Sequence, residues 1–230
     1  MCTLVIGVFG GRVEIAANRD EMADRPWQAP GAYWPGIVGG RDALAGGTWA
    51  ALNREGVFAA VLNREGTLGP EPGKRSRGAL PLLALAHDSA EAATAAIAAL
   101  DAGAYRPFNM VIADRANAFF VRGLGEEVPQ AVRLHEGVHM ITSGEADDVS
   151  LPRISRHLPR FQAAHAAVWG TLLADSSGTR AEQLNIPVAA AGGFGTVSAL
   201  RVTLSAAGAL FLFAPGPPHV AEFVDTRPPT

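Results

Sequence analysis

The residues with the most chemical potential stand near the amino end, in MCTLVIGVFGGRVEIAANRDE. The chain has one cysteine, Cys2, and an Asn-Arg-Asp-Glu run follows at Asn18 to Glu21. With Met1 removed, Cys2 would carry a nucleophilic thiol and a free α-amine on one residue. An α-amine titrates at roughly 7.7–8.0, so near neutral pH it can take the thiol proton without any histidine. A neighbouring guanidinium favours the thiolate, and Arg19 is the candidate. Asp20 would orient that arginine or the amine through charge-assisted hydrogen bonds. This is acyl-transfer chemistry with nucleophile and base on the same residue. The position suits a small buried hydrophobe at a strand start equally well, and the residue types alone do not separate the two readings.

Such chemistry also needs donors for a developing oxyanion. Candidate amides are Asn63, which ends the run VFAAVL, and Asn109, which opens FNMVIA. Either residue also suits a turn or a strand edge. Asn53 has the weaker case, because it falls inside a hairpin turn. Other signals fail. GPEPGKRS (69–76) is one residue short between its glycines for a phosphate loop and carries two prolines. GGFG (192–195) lacks a third glycine and a following helix. The six histidines make no HExxH pattern, and His135 and His139 lie in strand-like sequence. No metal site is expected, and no cofactor is implied, although a lone histidine leaves haem open as a ligand.

The elements that position these residues follow from periodicity. TLVIGVF (3–9) and RVEIAA (12–17) flank Gly10-Gly11, a two-residue hairpin signal. That loop pairs Val8 with Val13, Ile6 with Ile15 and Leu4 with Ala17 on one face, and Thr3 with Asn18 on the other. It also places Cys2 opposite Arg19. A Pro-, Gly- and Trp-rich stretch from Arg25 to Gly36 reads as a loop, and its part from Trp27 to Trp34 has the content either of a pocket wall or lid or of an ordinary packed surface loop. Leu-Asn-Arg-Glu-Gly then occurs twice, at 52–56 and 62–66, each copy after an apolar run, which marks turn chemistry rather than a repeat architecture. Residues 78–102 read as helix, broken near His87-Asp88 and restarted at Ser89. Strands return from Phe108 to Ser143. Helical spacing covers 150–174 with Pro159 as kink or boundary, and a last hairpin covers 195–214. Hairpins rather than βαβ crossovers predict α+β architecture, two antiparallel sheets between helical layers, with no linker dividing residues 1–230.

Bulk composition sets limits. At 230 residues, 48% hydrophobic and 18% charged, with net charge −3, the chain has room for a sizeable core. It offers no electrostatic case for nucleic acid. No apolar run reaches the ~18 residues of a membrane span, and the start lacks the basic region of a signal peptide. One cysteine fits a reducing compartment, so the expected location is the cytoplasm. Oligomeric state is not readable.

Several motifs then group together: the initial MC, AANRDE (16–21), RP (25–26), GGRD (39–42), AGGTW (45–49), the Asn after VFAAVL, RG (77–78), FN (108–109), the Thr142–Arg153 segment and FGT (194–196). In this order they resemble the NRDE family, the transport and Golgi organization protein 2 homologues, over essentially the whole chain. The resemblance implies an Ntn-hydrolase-like fold of four layers, αββα. It implies no settled activity; eukaryotic members are implicated in Golgi organisation, haem trafficking and lipid or acyl-CoA metabolism. A more distant likeness is to the choloylglycine hydrolase and penicillin acylase group, whose N-terminal cysteine cleaves amides. There the arginine and aspartate are separated, whereas Arg19 and Asp20 are adjacent, so both reach Cys2 only if the chain turns at Asp20.

Two expectations result. One is a hydrolase of a non-peptide C–N amide bond in a small molecule, with Cys2, Arg19, Asp20 and Asn63 as catalytic residues and Asn18, Asn109 and Trp49 as substrate contacts. The alternative is a binding or trafficking protein holding haem or an acylated, lipid- or acyl-CoA-like ligand in the same pocket.

Overall fold

A computed structural model describes residues 2–189 and 192–226; the fate of Met1 and the Pro-rich end lie outside them. The first hairpin sets the frame. Gly10 and Gly11 both have positive φ, 36° and 85°, as a tight two-residue turn of matching twist requires. The turn joins β1 (Thr3–Phe9) to β2 (Arg12–Met22), and the register is the expected one, from Phe9 with Arg12 to Thr3 with Asn18. Leu4, Ile6, Val8, Val13 and Ile15 thereby enter the central core, while Val5 and Ala16 point to the opposite side.

The residues expected as loop form two strands, β3 (Trp27–Trp34) and β4 (Ile37–Asp42). Their pairing slips register twice, around Gly31. Strand β3 lies at the sheet edge, where Pro30 can be accommodated because only one side of the strand needs donors. β5 (Ala50–Asn53) and β6 (Phe58–Asn63) follow, joined by the first Leu-Asn-Arg-Glu-Gly turn. Helices α1 (Ala79–Ala84) and α2 (Ala90–Ala98) come next, with the Ser89 hydroxyl accepting from the Ala92 amide at the restart. Then come β7 (Phe108–Ala113), β8 (Ala118–Gly123), β9 (Gln130–Arg133) and β10 (Gly137–Ile141).

Helix α3 (Pro152–Ala163) runs through Pro159 and ends at Ala164, and α4 (Trp169–Leu172) is a single further turn. β11 (Phe194–Ser205), β12 (Gly208–Ala214) and β13 (Val224–Asp225) complete the chain. Against β2, strand β11 carries one extra residue, Val197, between the pairs Asp20–Thr196 and Arg19–Ser198. This bulge puts Thr196 on the Asp20 face and Ser198 on the Arg19 face.

The strands assemble into a six-stranded sheet, β10-β1-β2-β11-β12-β13, and a seven-stranded sheet in sequence order from β3 to β9. The named pairings are all antiparallel. Leu4, Ile15, Leu200 and Phe213 from one sheet meet Leu52, Phe58, Val111 and Phe120 from the other. Leu80 and Ile97 of the first two helices cover the seven-stranded sheet, and Ile154 and Phe161 of α3 cover the six-stranded one. The result is the expected α+β arrangement of four layers, αββα. No helix among the described residues is long and apolar enough to cross a membrane.

Candidate active site

Cys2 stands just before β1, half-buried against the core between the sheets. Its Sγ accepts from the Asp20 amide at 3.4 Å and lies 3.6 Å from the Asp20 carbonyl, so the sulfur is seated on the β2 backbone. Burial first, and the negative charge of Asp20 second, push the thiol above its ordinary value, while Arg19 pulls in the opposite direction. The resting sulfur at neutral pH is therefore a thiol.

Strand alternation decides the rest. Arg19 points between the sheets, with a side chain only 6% exposed. Its guanidinium lies 4.2 Å from the centroid of Trp49, a desolvated cation–π contact. Trp49 in turn meets Trp27 edge to face. Glu21 stands 3.7 Å from the Arg19 Nη2, and Arg19 Nη1 has no hydrogen-bond partner among the described residues. Burial lowers the Arg19 pKa from its usual value, but a guanidinium remains charged at neutral pH.

Asp20 faces the other way, because β2 does not turn there and runs on to Met22. Its carboxylate accepts from Thr196 Oγ1 at 2.7 Å and lies 3.5 Å from Arg153 of α3. Arg153 also donates to Thr3 Oγ1, and Thr196 Oγ1 accepts from the Ile186 amide. Burial pushes the Asp20 carboxyl up, with Arg153 and Thr196 pulling it back. The arginine that Asp20 holds is thus Arg153 on the helix side. Sequence reasoning did not single out this pair, although Arg153 and Thr196 both stand in the grouped motifs.

The asparagines divide in the same manner. Asn63 ends β6 and faces the cleft, and its amide makes no hydrogen bond to any described residue. Asn109 is fully buried and committed: its amide nitrogen donates to the Thr142 and Gly144 carbonyls at 3.0 and 2.6 Å, and its oxygen accepts from Arg64 at 2.7 Å. It ties the end of β10 to the facing sheet. Asn18 points to the helix side and donates to the Leu173 and Leu184 carbonyls, both at 2.9 Å. Asn53 clamps the break between α1 and α2 through the Leu85 and His87 carbonyls. The structure therefore brings Cys2, Arg19, Trp49 and Asn63 together and leaves the side chains of Asn18 and Asn109 elsewhere.

These four line a cleft of about 440 Å³, within the usual range of small-ligand sites. Two glycine pairs of the motifs make its wall possible. A Cβ on Gly40 would meet the Trp49 indole at 2.2 Å, and one on Gly47 would meet the Gly78 carbonyl oxygen at 2.4 Å. Asp42 holds the rim: its carboxylate accepts from Arg25 at 2.8 Å and from the Leu44 and Ala45 amides at 3.0 Å. Although burial works the other way, these bonds keep its pKa below the ordinary value. The segment 69–78, which fails as a phosphate loop, forms the far wall with Arg106. No group of three or more His, Cys, Asp or Glu residues that could hold a metal ion occurs among the described residues.

Comparison with solved structures places this arrangement in the Ntn-hydrolase fold. Penicillin V acylase from Agrobacterium tumefaciens superposes with a TM-score of 0.55 at 16% identity, over 98% of this chain and 86% of that one. A variant of conjugated bile acid hydrolase from Clostridium perfringens gives 0.57 at 11% identity, over 98% and 92%. The Caenorhabditis elegans orthologue of N-acylethanolamine-hydrolyzing acid amidase gives 0.56 at 10%, over 87% and 92%. At these identities the likeness is one of fold. Among curated proteins, none matches in sequence. The family signature described as Transport and Golgi organisation 2 matches residues 1–185, and the chain belongs to that family.

Proposed function

We propose that the protein is an N-terminal-cysteine hydrolase of a small-molecule C–N amide. The observation that carries this reading is the meeting of the Cys2 sulfur, the Arg19 guanidinium and the uncommitted Asn63 amide in one cleft. The three solved structures named above, an acylase, an amidase ortholog and a bile acid hydrolase by title, support the class.

In this mechanism Met1 is removed and the Cys2 α-amine takes the thiol proton as sulfur attacks the amide carbonyl. The Asp20 amide, already donating to sulfur, and Arg19 favour the developing thiolate. Asn63 donates to the carbonyl oxygen as it becomes an oxyanion. The α-ammonium returns the proton to the departing amine, leaving a thioester on Cys2. Water, deprotonated by the same amine, then releases the carboxylic acid and restores the thiol. The buried Asp20–Arg153 pair acts from beneath as positioning groups for β1 and β2.

Intact mass of the purified protein, followed by exposure to a β-lactam or electrophilic amide, tests this reading. The expected result is a chain lacking Met1 and an adduct on Cys2, absent in Cys2→Ala and slowed at least tenfold in Arg19→Ala. Retained Met1 in a preparation that still forms the adduct removes the self-base step; no adduct across a broad panel removes the hydrolase. A specific observation favours a second reading, carriage of haem or an acylated ligand without chemistry: the Arg19 guanidinium stacked on Trp49 offers the cleft a cationic and an apolar contact that need no reacting cysteine. Saturable ligand uptake that survives Cys2→Ala, with no adduct, selects it.

A further inference from the structure

The far wall of the cleft carries more positive charge than its carboxylates answer. Six of the lining residues are arginine or lysine and four are aspartate or glutamate. The carboxylates are already engaged. Asp42 binds Arg25, Glu71 lies 3.3 Å from Arg106, Glu21 sits between Arg19 and Arg25 at 3.7 and 3.8 Å, and Asp20 faces Arg153.

Arg77 meets only neutral oxygens. It donates to Thr67 Oγ1 at 2.9 Å, to the Pro107 carbonyl at 3.0 Å and toward the Gly69 carbonyl at 3.5 Å. Lys74 donates to the Gly103 carbonyl, and the Arg75 guanidinium sits over the Tyr105 ring. Burial, with Arg106 adding repulsion and Glu21 only partly offsetting it, lowers the Arg77 pKa to about 10. Arg77 also lies close enough to Cys2 for a thiolate there to act on it. Arg19, nine-tenths buried, lines the same cleft, and its Nη1 has no hydrogen-bond partner among the described residues.

We propose that this wall is an anion subsite, and that the molecule processed at Cys2 carries an oxyanion group, carboxylate or phosphate, held by Arg77 with Lys74 and Arg106 on its outer side. The proposal rests on the hydrolase reading for the processing step and stands independently of it for binding. Both Nη1 protons of Arg77 are committed, and its Nε–H with the outer Nη2–H supplies the planar fork for two oxygens of one anionic group. The residues between Gly69 and Gly78 thus bind an anion through side-chain cations where a phosphate loop would use backbone amides.

Three probes of matched size test it: N-hexanoylglycinate, its neutral amide N-hexanoylglycinamide, and the corresponding aminomethylphosphonate. Binding is read by calorimetry and by tryptophan fluorescence, and hydrolysis by release of hexanoate. The anions are expected to bind at least roughly tenfold more tightly than the neutral amide, the range of a charged hydrogen-bonded contact. That preference should shrink as salt rises and fall to near unity in Arg77→Met. The tighter of carboxylate and phosphonate names the natural group. If Arg77→Met does not fold, Lys74→Gln and the salt series still report, each reducing the preference. Equal binding of neutral and anionic probes, or a preference untouched by both substitutions, overturns the subsite. Charge-selective binding without hydrolysis keeps the subsite and removes the hydrolase; hydrolysis blind to charge does the reverse.

Discussion

Replacing Arg153 with methionine tests whether the buried ion pair supports the cysteine's strand. Arg153 is 5% exposed and Asp20 2%, so the substitution leaves a carboxylate in the interior without the guanidinium 3.5 Å away. Thr3 Oγ1 loses its donor as well. Breaking a buried pair from one side typically costs about 3–5 kcal/mol. With a urea dependence of about 3 kcal/mol/M, the upper part of the usual range, the midpoint should fall by roughly 1–1.7 M at pH 7. The pH dependence has a definite sign. Asp20 already has a raised carboxyl pKa, and Arg153 is one of the groups restraining it. Removing Arg153 lets it rise further. A carboxyl raised on folding favours the folded state below its unfolded value, about 3.9, and that advantage disappears as pH climbs through the folded value. The penalty of Arg153→Met should therefore be largest at neutral pH and shrink on acidification. The double variant Asp20→Asn/Arg153→Met, with both charges gone, should be more stable at pH 7 than Arg153→Met alone. Urea unfolding at pH 7 and pH 5, followed by tryptophan fluorescence, measures all three. A single-variant cost below about 1 kcal/mol, or a double variant no better than the single, refutes the account of this pair as a matched buried unit.

In a chain that keeps Met1, the Cys2 thiol should titrate above the ordinary ~8.5 of a free cysteine, read as thiolate absorbance or as the pH profile of iodoacetamide modification. Asp20→Asn should lower that midpoint by removing a negative charge, and Arg19→Gln should raise it; a wild-type midpoint at or below the ordinary value contradicts the burial argument. Gly47→Ala drives a methyl into the Gly78 peptide and should cost about 1–3 kcal/mol, shifting Tm downward by roughly 2–4 °C per kcal/mol for a chain of this size. An unchanged Tm would show that the wall can yield.

The sheet framework is readable from the chain because local rules determine it. Gly10 and Gly11 dictate the hairpin register, and that register by itself places Cys2 opposite Arg19. The edge strand Trp27–Trp34 is not readable, because a proline, a glycine and two register slips erase the alternation by which strands are recognised. The asparagines show a second limit. Asn53 and Asn63 stand in identical pentapeptides, yet one clamps a helix break and the other faces a cleft, since their surroundings come from distant segments. Arg153 is hidden for the same reason: its partner lies more than a hundred residues away in sequence.

The single extra residue in β11 has a consequence for how such chains can change length. Val197 is partly exposed and no named interaction of the site depends on its side chain, so many residue types should serve there. Its removal should be tolerated as well. Deleting it would close the bulge and make Thr196 and Ser198 neighbours in a regular strand, still opposite Asp20 and Arg19 and each on its own face. A residue gained or lost elsewhere in β11 has no such slack and would turn the side chains beyond it to the other face. Among related chains, a change of one residue in the length of β11 should therefore fall at Val197 and not elsewhere in the strand.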